Sequence, residues 1–138
     1  MATIPNDPPN DPPCSTIVYR LILKSGWVDP EDTTKMKSEA FMRRPQIDCD
    51  GLSVFDSYRI TQEDCVQTVN RCYGIATLHV GTLLNHGLNV IRDPEDHRKI
   101  LITNMPFENP GDANAERLCE IIAESARIAM RCRHKQKN

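Results

Sequence analysis

The chain has no long apolar run. No stretch of its 138 residues approaches the roughly 20 consecutive apolar positions that a membrane-spanning helix needs. No basic segment leads into an apolar one near Met1, so there is no secretory signal pattern and a cytoplasmic protein is expected. Charge of one sign is also lacking: 17 Lys and Arg face 19 Asp and Glu, a formal net charge of -2. That balance does not make nucleic acid the first expectation. Large apolar residues are scarce, with Leu, Ile, Val and Phe together making up 31 positions. This is enough for one small core but not a rich one. The local signatures of phosphate loops, nucleophile elbows, zinc proteases, kinases and dinucleotide-binding folds are all missing.

Prolines are unevenly spread. Asn6-Asp7-Pro8-Pro9 is followed at once by Asn10-Asp11-Pro12-Pro13, and half of the ten prolines lie in the first 13 residues. Proline fixes φ and removes the backbone donor, so residues 1–14 read as an extended proline-rich tail. A single α+β domain is expected over 15–131, followed by a basic tail over 132–138. The basic end is pronounced: residues 127–138 hold five Lys or Arg and no acid, whereas the other 126 residues hold 12 bases and 19 acids. Such an end suits a solvated helix terminus, and also contact with nucleic acid or an acidic partner.

The pattern between the tails predicts four or five strands in a mixed or antiparallel sheet, covered by two helices. Thr16–Leu23 is β-branched and nearly all apolar, as an interior strand should be. Arg20 interrupts it, and is expected either on a wet face or reaching for an acid. Leu52–Phe55 and Ile75–Val80 read as strands. Leu88–Ile91 and Lys99–Thr103 read as a hairpin around an acidic turn. Thr61 is a plausible N-cap for a helix over Gln62–Cys72, with Cys65, Val66, Val69 and Cys72 on one face. The last helix is expected over Pro110–Met130, capped by Asn109, with Leu118, Cys119, Ile122, Ala126 and Ala129 facing inward. The seven-residue pattern Asp29-Pro-Glu-Asp-x-x-Lys35 recurs as Asp93-Pro-Glu-Asp-x-x-Lys99, and predicts the same tight acidic turn twice.

Six cysteines lie at 14, 49, 65, 72, 119 and 132, with no Cys-x-x-Cys pair. Without a secretory signal they are expected as reduced thiols, mostly serving as small apolar residues. Cys65, Cys72, His79 and His86 fall seven residues apart. Two turns of helix hold the cysteine sulfurs roughly 10 Å apart, too far to share one tetrahedral zinc. The Asp48-x-Asp50-Gly51 segment lacks the bidentate acid of a calcium loop. No metal or other cofactor is implied. Cys72 beside His79 or His97 is conceivable as a thiol nucleophile and its base.

Ala40-Phe41-Met42-Arg43-Arg44-Pro45, Gly51-Leu52-Ser53-Val54 and His97 through Pro106 resemble segments of a type of small bacterial protein, a likeness that implies neither fold nor activity. Two functional readings follow from the residues. The first is a non-enzymatic interaction module, for instance one half of a bacterial toxin–neutraliser pair. Its partner would be another protein or a second copy, docking on an apolar patch around Ile121 and Ile128. The second is a small enzyme acting on an anionic nucleotide or RNA, of the ADP-ribosyl-transfer or nuclease kind. Arg20, Arg43, Ser53 and His97 would carry it, with Arg44 and Tyr19 nearby. A pocket joining those side chains favours the enzyme, and an exposed patch on the last helix favours the module.

Overall fold

The computed structural model describes residues 12–107 and 111–132. Most of the proline-rich tail, the expected cap at Asn109 with Pro110, and nearly all of the basic tail lie outside the described residues. The rest is α+β with one antiparallel sheet. Its strands are β1 (Ile17–Leu21), β2 (Leu52–Asp56), β3 (Gly74–His79), β4 (Val90–Arg92), β5 (Lys99–Ile102) and β6 (Arg127–Arg131). They are ordered β4-β5-β2-β1-β3-β6. The helices are α1 (Gln62–Gln67), α2 (Val80–Asn85) and α3 (Ala113–Ser125), with 3-10 turns at Ser25–Trp27 and Ser38–Phe41.

Alternation along the strands divides the interior in two. Val18, Ile22, Leu52, Val54, Ala76, Leu78, Ile100 and Ile102 face the larger core, which α3 closes with Cys119, Ile122 and Ala123. α3 also packs on the Ser38–Phe41 turn, whose Phe41 is fully buried. On the opposite face, Leu21, Phe55 and Ile75 meet Ile60, Cys65 and Cys72 in a smaller cluster beneath α1.

Two helix expectations are corrected. The first helix stops at Gln67, well short of Cys72. Its start is as expected: the Thr61 hydroxyl accepts from the Asp64 amide at 3.1 Å, a cap worth about 1 kcal/mol. Cys72 shares a cluster with Cys65 and Val69 through tertiary packing, not through helical spacing. The last helix ends at Ser125, and its cap is Asp112, which accepts from the Ala115 amide. Arg127–Arg131 then runs as the sixth strand. Its residues alternate between exposed Arg127, Ala129, Arg131 and half-buried Ile128, Met130. That period of two fits the open edge of β3, where alternate strand residues gain ladder bonds that a terminal helical turn lacks. Gly74 admits this strand: at φ +153°, a Cβ there would collide with the Met130 carbonyl oxygen.

The repeated acidic heptapeptide folds the same way twice. The Oδ1 of Asp29 accepts from the Glu31 amide at 2.9 Å, and that of Asp93 from the Glu95 amide at 2.8 Å. The Lys35 amide donates to the Asp32 carbonyl, and the Lys99 amide to the Asp96 carbonyl. Each turn is closed by the first aspartate's amide donating to the lysine carbonyl at 3.0 Å.

Candidate functional site: a basic cleft where two central strands part

The ladder between β1 and β2 is short. It pairs Val18 with Asp56 and Tyr19 with Phe55, and goes no further. Beyond that point β1 stays on β3, with Arg20 opposite Ala76 and Leu21 opposite Ile75. β2 stays on β5, with Ser53 opposite Leu101 and Phe55 opposite Lys99. A cleft of about 240 Å³ opens there, lined by Arg20, Leu21, Leu23, Arg44, Ser53, Phe55, Thr68, Val69, Arg98 and Lys99.

Arg20 is 3% exposed. It is neither on a wet face nor paired with an acid. Its Nε donates to the Ala40 carbonyl at 2.8 Å, and its Nη1 to the Ser53 carbonyl at 3.1 Å, an oxygen left over where the strands separate. The guanidinium lies 5.0 Å from the centroid of the Trp27 ring. Nη2 is buried with no hydrogen-bond partner. Burial pulls the Arg20 pKa down to about 10; the charge of Asp48 offsets part of this and that of Arg44 adds to it. Arg20 is therefore a cation at neutral pH, held in low dielectric without an ion pair, an expensive arrangement in isolation.

Three more cations line the same cleft. Arg44 is bound by Asp48, Nε to Oδ2 at 3.0 Å and Nη2 to Oδ1 at 3.2 Å. Burial of Asp48 opposes its ionisation, but hydrogen bonds from the Arg44 side chain and backbone outweigh this and hold its carboxyl below the usual range. Arg98 grips Asp96 in the same two-pronged way, at 3.0 and 2.9 Å. Lys99 makes no ion pair among the described residues; its Nζ lies 5.5 Å from the Phe55 ring centroid. Two of the four cations are thus neutralised locally. Arg20 and Lys99 leave the cleft positive in a chain whose net charge is negative. Leu21, Leu23, Phe55 and Val69 supply an apolar wall.

The four residues expected to serve an enzyme are not brought together as a set. Arg20 and Ser53 line the cleft. Arg43 does not. Its Nε donates to the Asp48 carbonyl, Nη1 to those of Thr103 and Met105, and Nη2 to that of Cys49. Its guanidinium also lies 3.9 Å from the Phe107 ring centroid. Every nitrogen that can donate is used to clamp two loops. His97 is exposed in the β4–β5 turn, and its carbonyl accepts from Arg92. Arg92 in turn forms a buried ion pair with Asp56 at 2.8 Å. Arg98 and Lys99 were missed: nothing in the local sequence shows that β5 lies beside β2.

The thiol–imidazole pairing has no support from contacts. The Cys72 Sγ donates to the Gly74 carbonyl, and burial raises its pKa. Burial likewise pushes the thiols of Cys65 and Cys119 up to about 12 and 11. Such thiols are poor nucleophiles at neutral pH. No group of three or more His, Cys, Asp or Glu among the described residues is placed to hold a metal ion. Ile121 is half-buried on α3, whereas Ile128 sits in β6 opposite Ala76 and packs on the larger core. The patch expected around them on one helix does not form, because the helix ends between them. No helix among the described residues is long and apolar enough to cross a membrane. Comparison with family models, with curated proteins and with solved structures finds no match.

Proposed function

We propose that the protein is a binding module whose cleft between β1 and β2 receives an anionic group carried by another molecule. The observation that carries this reading is the buried, unpaired charge of Arg20 beneath a cleft that also presents Arg44, Arg98 and Lys99. A cation in low dielectric projects its field into an adjoining cleft, because water cannot screen it there. Arg44 and Arg98 stand at the wall already paired with Asp48 and Asp96, so each would receive an incoming oxyanion only by exchanging its carboxylate. The residues lining the cleft include no carboxylate, imidazole or thiol. The carboxylates and imidazoles most used as general bases are thus missing from the wall, which favours binding over turnover.

A second reading keeps an enzyme acting on an anionic nucleotide or RNA. It is favoured by Arg20 and Ser53 sharing one cleft, with the Ser53 hydroxyl as the reacting group.

Both readings require that an oxyanion enter this cleft. Inorganic phosphate titrated into the full chain, followed by amide chemical shifts, should move Ser53, Thr68, Arg98 and Lys99 first and most. The effect should weaken as salt is raised. Shifts confined to the C-terminal Arg and Lys residues, or no saturable shift at all, would remove the basis for both.

A further inference from the structure

We infer that the cleft is built for a phosphate monoester on a flat apolar body, which it holds more tightly than the free anion. This rests on the anion-binding reading above and narrows it to a ligand class.

Three observations carry it. The first is size. A volume of about 240 Å³ holds several water molecules at about 30 Å³ each, far more than one tetrahedral oxyanion of five heavy atoms would displace. A bare anion would leave most of the cleft wet. The second is the division of the lining. The cations Arg20, Arg44, Arg98 and Lys99 share it with Leu21, Leu23, Phe55 and Val69. Leu23 and Val69 are only half-buried, so their surface is open to be covered. An inorganic anion has nothing to place on that apolar surface. The third is the meeting point of the two kinds of surface. The Lys99 ammonium stands 5.5 Å from the centroid of the Phe55 ring, and both line the cleft. Phe55 itself is buried, so Leu23 and Val69 are the apolar surface of the cleft left open to a group esterified to a phosphate drawn to Lys99. Aromatic bodies suit such a surface, because a ring covers much apolar area at little conformational cost.

The shared chemistry has two sources, a phosphorylated aromatic side chain of a partner protein and a free nucleoside monophosphate. The test separates them, and separates this inference from the anion-binding reading beneath it. Phenyl phosphate, inorganic phosphate, O-phosphotyrosine, O-phosphoserine and adenosine monophosphate are titrated into the full chain at one ionic strength. Phenyl phosphate should bind roughly tenfold more tightly than inorganic phosphate. Val69→Thr, which keeps the side-chain shape and replaces a methyl by a hydroxyl, should shrink that ratio. Tighter binding of O-phosphotyrosine than of adenosine monophosphate or O-phosphoserine would identify the protein-borne source; tightest binding of adenosine monophosphate would identify the nucleotide. Equal affinity for phenyl phosphate and inorganic phosphate would overturn the inference and leave the anion site standing. Failure of both to bind would overturn the two together.

Discussion

Arg20 and Arg43 are both nearly buried arginines, 3% and 8% exposed, yet their surroundings are opposite in kind. Arg43 is saturated. Four backbone carbonyls from two separate loops accept from it, and Phe107 covers its face. Arg20 has two carbonyls, and one nitrogen with no partner. The comparison shows that burial alone does not mark a functional cation. A guanidinium whose donors all end on the chain's own backbone is a cross-brace. One that keeps an unpartnered nitrogen beside a cleft is, on the reading proposed above, the candidate for an anion site.

The largest expected effect comes from removing the brace. Arg43→Met keeps the apolar stem but leaves the carbonyls of Cys49, Thr103 and Met105 without this donor, while that of Asp48 keeps the Gly51 amide. At roughly 1–3 kcal/mol for a buried polar group left unpaired, the variant should lose about 3 kcal/mol or more, read as a lower urea midpoint. Arg20→Met should cost less, about 1 kcal/mol. It orphans two carbonyls but also removes a buried charge that lacks an ion pair. Equal losses in the two variants would erase the distinction drawn between them.

Asp48 sharpens the same contrast, because it touches both sites. Its carboxylate binds Arg44 at the cleft, and its carbonyl accepts from Arg43. The folded-state pKa of Asp48 is depressed. Its contribution is therefore fully present above the unfolded value near 3.9, and is lost as pH falls through the folded one. Acid unfolding below about pH 4 should be less steep in Asp48→Asn. An unchanged slope would show that the Arg44 pairing adds nothing to stability. The smallest effect on stability belongs to Arg98→Gln combined with Lys99→Gln. Both side chains are at least partly exposed, and the double variant should stay within about 0.5 kcal/mol of the parent. Its affinity for phosphate should nevertheless fall severalfold.

Much of the fold was legible because local chemistry and tertiary structure agree. β1, β2 and the β4–β5 hairpin follow from β-branched runs bounded by turn residues. The acidic heptapeptide closes the same turn at Asp29 and Asp93, since its hydrogen bonds run within seven residues. Arg127–Met130 reads as the end of a helix because its apolar positions satisfy both a period of 3.6 and a period of two. The free edge of β3, not the segment itself, decides between them.

The site was half legible for a similar reason. Arg20 stands out as a charge inside an apolar strand, and Ser53 as a polar residue between Leu52 and Val54. Arg43 and Arg44 are neighbours with opposite roles, and composition cannot say which one turns towards the cleft. Lys35 and Lys99 end identical heptapeptides. Lys35 stays in solvent beside Asp32, whereas Lys99 enters the cleft only because β5 pairs with β2.

The most direct test sets the two buried arginines against each other in one experiment. Thermal melting of the parent chain, of Arg20→Met and of Arg43→Lys is followed as inorganic phosphate is raised at constant ionic strength. The parent and Arg43→Lys should both gain in Tm, by an increment that grows with phosphate as specific binding to the folded state requires, while Arg20→Met should gain nothing. An equal gain in Arg20→Met would contradict the assignment of Arg20 to an anion site, and would leave it a structural cation like Arg43.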